Sequence, residues 1–277
     1  LNAQGASTMA DPMKSCAIDL FSADWGGNEF EIKFGDWVAQ DGFHLKAFYK
    51  DSLKSIQPIC YEIGEQITSF LNVRSNRFHI SSDNVLIGGT GDMDNDVSQA
   101  KCMPSQFPCE VYLNGEYYGL FIWSLKKNRK NYSMNKKDYT SILIDNVGGM
   151  FNEDSFNWIK DYVTASERAL YSENFLDEEK GYKNYIDINS FVDWYLINEI
   201  AKNNDAVFYS SCYMNIKRGG KLKMGPIWDF DIAFGNCNYN DNWKEEGFYI
   251  KSASWISRMF EDPEFVKLVK LRYEFFY

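Results

Sequence analysis

Histidine is almost missing from this chain: two residues in 277, His44 and His79. No Cys-x-x-Cys pair occurs either, the six cysteines falling at 16, 60, 102, 109, 212 and 237. Together these absences set aside an ordinary zinc site, which draws its ligands from clustered Cys and His. They also rank metal-assisted hydrolysis low, since that chemistry calls for His or for denser carboxylates. Each His reads as a strand residue. An excess of positive charge is absent too: 29 Lys and Arg face 39 Asp and Glu, a formal net charge of −10. Nucleic-acid binders present basic surfaces, so the balance argues against a nucleic-acid partner. The sequence has no long apolar run, hence no membrane span, and no signal-peptide pattern. It starts at Leu1 and stops at Tyr277 within a helical pattern, which reads as a fragment or a processed product.

Hydrophobic residues make up 45% and charged residues 25%, the balance of a folded protein long enough for one large domain or two lobes. The aromatic share of 17% suits a bulky core or a surface facing carbohydrate or protein. Basic residues gather in Lys126–Lys130 and Lys136-Lys137, a solvated loop in the plainer reading and an anion site in the other. Cys102 and Cys109 enclose a short loop with two prolines and are candidates for a bridge. The other four cysteines read as buried thiols or one more pair, a count that allows an oxidising compartment.

Hydrophobic periodicity divides the chain in two. Cys16–Phe21, Glu29–Phe34 and Phe43–Phe48 alternate as strands of an antiparallel meander. Apolar residues at helical spacing predict a helix over Ser52–Leu71. Asp92, Asp94 and Asp96 imitate the start of a calcium loop, but Val97 and Met103 stand where its Gly and Glu belong, so the segment reads as a polar loop. Asn114-Gly115 between two β-rich runs predicts a type I′ hairpin. Helices are expected over Asn152–Leu170 and Ile188–Lys202, with Asp187 or Asn189 capping the second, and from Pro263 to Phe276. A second hairpin is expected to join Phe208–Lys217 to Lys221–Asp229 around Arg218-Gly-Gly220. The fold class is α+β, with a β-rich part over 1–125 and a mostly helical part over 126–277.

The most informative stretch is Gly225-Pro-Ile-Trp-Asp-Phe-Asp-Ile-Ala-Phe-Gly-Asn236. Asp229 and Asp231 lie two apart in an apolar run, where a buried carboxylate costs several kcal/mol unless a positive partner sits beside it. Hard divalent cations suit carboxylate oxygens, so a metal ion is the economical partner. Asp205 ends the phrase Asn198-Glu-Ile-Ala-Lys-Asn-Asn-Asp205, twenty-four positions before Asp229. An acidic residue on a loop, a hairpin-sized interval, then Asp-Phe on a buried strand is the layout by which protein kinases place a catalytic Asp and a metal-binding Asp.

These blocks resemble the CotH (spore coat protein H) kinase family over nearly the whole chain. Gly5-Ala-Ser-Thr8 with Pro12-Met-Lys14 is similar to the family's small-residue turn and its Pro-Lys-Lys strand. His44-Leu-Lys-Ala47 with Asp51-Ser52, and Tyr112-Leu-Asn-Gly-Glu-Tyr-Tyr-Gly-Leu-Phe121, are similar to its next blocks. Asp187-Ile-Asn-Ser-Phe, Asn198-Glu through Asp205 and Lys221 through Asp231 resemble the core signature. The resemblance implies an atypical protein-kinase-like two-lobe fold and a secreted, bacterial, spore-coat-like protein at the cell surface or outside the cell. It implies Mg²⁺- and ATP-dependent phosphorylation of Ser or Thr in a Ser/Thr-rich protein substrate. Asp205 then stands at the catalytic position and Asp229 at the metal position, with Asp231 as an auxiliary ligand. Lys14, on a strand after the small-residue turn, stands as the phosphate-contacting lysine with Lys46 as its competitor, and Glu62 is the acid that would pair with whichever does that job. Ser210 occupies a metal-ligand position where the family often has Asn. The family's Arg-Asn pair is Ile56-Gln57 here, and the basic Lys126–Lys130 run replaces an acidic segment. These departures keep a second expectation open: a non-catalytic module that retains the fold to bind protein or glycan at a cell surface or on a virion.

Overall fold

The computed structural model describes residues 2–5, 7–22, 27–35, 37, 39–64, 66–67, 106–126, 131, 141–144, 153–208, 210–237 and 240–277. The acidic loop at Asp92–Asp96, His79, Cys102, Lys127–Lys130 and Lys136-Lys137 lie outside these residues. Cys109 is a free thiol.

The N-terminal part is built on a five-stranded antiparallel sheet: β1 (Asn2–Gln4), β2 (Ser15–Asp19), β3 (Gly42–Lys46), β4 (Gln106–Leu113) and β5 (Glu116–Leu125), in the order β1-β2-β3-β5-β4. Strand alternation sends Cys16, Leu45 and Phe121 into one apolar cluster with Cys109, Val111 and Trp123. The same alternation turns His44 and Lys46 to the opposite face, where both rings of contact involve Trp228: the His44 ring lies 6.1 Å from it and the Lys46 ammonium 4.9 Å. That face looks toward the C-terminal half. The β4–β5 turn is as expected from Asn114-Gly115, with φ of 52° and 86° at the two positions, the left-handed pair a type I′ turn needs.

The expected strand Glu29–Phe34 does not form. Only isolated bridges, Phe21 to Glu29 and Ile32 to Gln40, mark it. Aromatic packing takes precedence over pairing: Phe34 sets its ring 5.3 Å from both Phe43 and Trp123, and Trp37 joins them as a cap on the sheet. Residues 56–64 (α1) and 66–67 are helical, so the helix starts later than Ser52. The delay follows from Asp51, whose carboxylate accepts from the backbone N–H groups of Leu53 and Ile56, and from Lys54 in the left-handed region (φ 55°).

The C-terminal part holds a three-stranded antiparallel sheet, β6 (Ser141–Ile144), β7 (Met214–Lys217) and β8 (Lys223–Met224), with helices α2 (Glu153–Tyr171), α3 (Ile188–Ala201), α4 (Ser254–Met259) and α5 (Pro263–Phe276). The core sits around α3, which is apolar on nearly every side and contributes Phe191, Val192, Ile197 and Ala201 to the largest buried cluster. Asp187 caps it by accepting from Ser190 N–H at 2.9 Å. One ion pair is sealed inside: Arg272 of α5 lies 2.7 Å from Asp193 of α3, both side chains fully buried, and Arg272 also donates to Asn189 Oδ1 at 2.8 Å. The molecule is therefore α+β, with an antiparallel sheet and several helices. Among the described residues no helix is long and apolar enough to cross a membrane.

Candidate active site

The loop that carries Asp205 is fixed from both ends. Lys202 takes a left-handed conformation (φ 44°) and ends α3 by donating its N–H to the carbonyls of Asn198 and Glu199. Asn203 doubles back, its backbone N–H bonding Asn198 O and its side chain bonding Asn198 Oδ1, both at 3.0 Å. Asn204 Oδ1 accepts from Asn240 and, at 2.8 Å, from Asn242. Buried Glu199 accepts from the N–H groups of Tyr249 (2.6 Å) and Lys251 (2.9 Å). Carboxylate and amide side chains thus replace regular pairing as the scaffold of this loop, so Asp205 is held by a hydrogen-bonded frame.

Asp229 is not on a strand, contrary to the sequence expectation. The hairpin stops at Met224, and Asp229 adopts φ 64°. A non-glycine residue there costs roughly 1–2 kcal/mol. The surroundings hold it: Phe230 beside it is fully buried, Gly225 N–H bonds Tyr213 O at 2.8 Å, and Phe234 N–H bonds Ala201 O at 2.7 Å. Ser211 Oγ donates to Asp229 Oδ2 at 2.8 Å. Asn236 Nδ2 donates to the Asp231 carbonyl at 2.6 Å. α1 approaches closely behind this segment, where a Cβ on Gly64 would meet Ile227 Cδ1 at 2.7 Å.

Asp205, Ser210, Ser211, Asp229 and Asp231 line one cleft of about 510 Å³ together with Lys46. Its other wall is the small-residue turn, with Gln4, Gly5 and Thr8. Gly5 has φ 117°, and a Cβ there would lie 1.9 Å from Thr8 Oγ1, so the turn closes only with glycine at that position. Lys14 and Glu62 are not among the lining residues. The Lys14 ammonium donates to the carbonyls of Met9 (2.6 Å) and Asp11, and exposed Glu62 accepts from Gln66 at 3.4 Å. Of the two lysines, Lys46 is the one brought to the carboxylates.

The electrostatics of the cleft are those of crowded, half-buried anions. Burial pushes the Asp231 carboxyl up to about 7; Asp229 and Asp205 add to the rise, and Lys46 opposes it. Asp205 is also raised, by burial first and by Asp229, while a hydrogen bond from the Ser210 side chain opposes the shift. Lys46 is lowered by burial, against the pull of Asp229 and Asp231. The lining sets Asp11, Asp205, Asp229 and Asp231 against Lys46 and Lys50, which leaves the cleft short of positive charge. Among the described residues no group of three or more His, Cys, Asp or Glu forms a metal cluster by itself. Two aspartates with open positions suit a cation that takes one or two carboxylates and fills its shell with phosphate oxygens and water, the habit of Mg²⁺.

The sequence profile described as CotH kinase protein matches residues 1–276. The chain belongs to the CotH family. No curated protein matches it. In this CotH chain the hydroxyl on Asp229 is that of Ser211 and not of Ser210, the serine its sequence points to. Asn203, Asn204, Asn240 and Asn242 likewise carry the loop without standing out in the sequence. The signal for these was compositional: an Asn-rich phrase next to an Asp is a loop that bonds to itself.

Proposed function

We propose that this CotH protein is an atypical Ser/Thr kinase that transfers the γ-phosphoryl group of ATP to a hydroxyl of a Ser/Thr-rich protein outside the cell or at its surface. The observation that supports this most is the convergence of Asp205, Asp229, Asp231 and Lys46 on one cleft. Phosphoryl transfer asks little covalent help of a protein; it needs neutralised phosphate charge, in-line positioning and a carboxylate at the acceptor hydroxyl. Asp229 and Asp231 are the residues that would hold Mg²⁺, which, when bound, neutralises phosphate charge. Lys46, half-buried between the two halves of the chain, is placed to contact phosphate. The Gly5–Thr8 turn forms the opposite wall, where backbone can approach the nucleotide. Asp205 would orient the acceptor hydroxyl and take its proton, and its raised pKa brings it nearer to a working general base. In this reading residues 1–125 and 126–277 form two lobes that meet at the nucleotide.

The test is a melting curve with and without Mg-ATP. The nucleotide raises the melting temperature of the wild type, and Asp229→Ala removes the rise. A rise that survives the substitution would mean that nucleotide binds elsewhere. No rise in the wild type, with no phosphate transferred to Ser-rich acceptors, would leave the fold as a binding module. Exposed Trp243 and Phe248 then become the surface to truncate, with loss of ligand affinity as the readout.

A further inference from the structure

Two serines stand side by side in the cleft, and they serve different carboxylates. The Ser210 side chain acts on Asp205, favouring its ionised form. Its backbone N–H also reaches the Asp205 carbonyl at 3.4 Å, closing the short loop between them. Ser211 turns the other way. Its hydroxyl donates to Asp229 Oδ2 at 2.8 Å. The reversal is made by the backbone, since Ser211 sits at φ 53°. The partner is itself in the left-handed region at φ 64°. A two-residue step thereby hands one hydroxyl to the base position and the next to the metal position.

We infer that Ser211, not Ser210, is the positioning residue for the cation site: by engaging Oδ2 of Asp229 it fixes the carboxylate plane and leaves Oδ1 for the metal, while Ser210 serves Asp205. This rests on the kinase reading of the same cleft and adds a division of labour to it. A carboxylate accepts at two oxygens, and a hydroxyl locked on one of them removes the rotation that a cation would otherwise have to arrest. Second contacts of this kind on a metal-binding carboxylate are commonly worth 10–100-fold in metal affinity.

The experiment titrates Mg²⁺ against a fixed concentration of fluorescent ATP analogue and reads binding, not turnover. Four proteins are compared with the wild type: S211A, S211G, S211N and S210A. S211A raises the Mg²⁺ concentration for half-maximal nucleotide binding by about tenfold or more. S211G does the same while relieving the left-handed backbone, so its apo melting temperature equals or exceeds that of the wild type. S211N restores the wild-type midpoint, because Asn tolerates this backbone region and its amide can donate to Asp229. S210A leaves the Mg²⁺ midpoint in place and lowers phosphate transfer. Equal Mg²⁺ midpoints for wild type, S211A and S211G would overturn the inference while the kinase reading stands. A midpoint moved by S210A and not by S211A would reverse the assignment. A wild type that binds the analogue without any Mg²⁺ dependence would remove the kinase reading itself.

Discussion

At Asp205 the local forces oppose each other in a useful way. Burial and Asp229 raise its proton affinity, while the Ser210 hydrogen bond favours the ionised form. On the proposed kinase reading, Asp205→Asn keeps the shape and removes the base. The expected result is a loss of turnover of about 10²–10⁴-fold, with Mg-nucleotide affinity little changed. A matched loss in both quantities would move Asp205 from the base role to the binding site. Lys46 makes a different prediction. It answers two carboxylates and lies over Trp228 at 4.9 Å. Lys46→Met leaves the aliphatic packing and deletes the charge, so nucleotide affinity falls by about tenfold or more, consistent with the loss of at least one charge-assisted contact worth roughly 1.5–3 kcal/mol. Lys14→Met, whose ammonium is turned onto Met9 and Asp11 carbonyls, has much the smaller effect in the same binding assay.

Among the elements, α3 and α5 are joined by the fully buried Arg272–Asp193 pair. Burial raises the Asp193 carboxyl to about 7, with Arg272 pulling down and Asp187 pushing up. The sign follows from proton counting. Between about pH 4, where an unfolded Asp titrates, and about 7, the native state holds a proton the unfolded chain has released. The contribution of Asp193 to stability is therefore complete below about pH 4 and is lost as pH rises through about 7. Urea midpoints measured from pH 4 to pH 8 should show this fall in the wild type. Removing the cation with Arg272→Met strands the carboxyl and costs about 3–5 kcal/mol at neutral pH. An unchanged midpoint in that variant would mean that the pair is not sealed from water.

The elements also show which local signals were readable. Asn114-Gly115 named its turn because only that backbone type joins two twisted strands in two residues. Helices at 153–171, 188–201 and 263–276 were legible from spacing and from caps such as Asp187. The segment 29–34 is ambiguous in sequence, since its alternation is satisfied equally by an aromatic ring folding onto Phe43 and Trp123. Asp229 is legible as a candidate, but its conformation is not: a buried apolar run looks like a strand whether or not one of its residues turns left-handed.

At the scale of the whole molecule, ligand binding between two parts of the chain should stabilise both. A hundredfold excess of Mg-ATP over its Kd adds about 2.7 kcal/mol. For a chain of this size that corresponds to a rise in melting temperature of roughly 4–5 °C. The same nucleotide without Mg²⁺ should give a smaller rise, because carboxyl groups outnumber ammonium groups in the cleft lining and burial weakens Lys46. An equal rise in the presence of a chelator would show that the phosphates are held by protein cations alone.

The amino-acid order by itself determined the family blocks, the α+β character and the candidacy of Asp205, Asp229 and Asp231, because these depend on residue type and short spacing. It points to Lys14 ahead of Lys46 and to Ser210, whereas Lys46 lines the cleft and the hydroxyl on Asp229 belongs to Ser211. Those choices were made by the tertiary structure. A lysine reaches a cleft only if strand register turns it to that face, and a serine chooses its acceptor through a backbone angle. Both are set by packing between segments far apart in the chain.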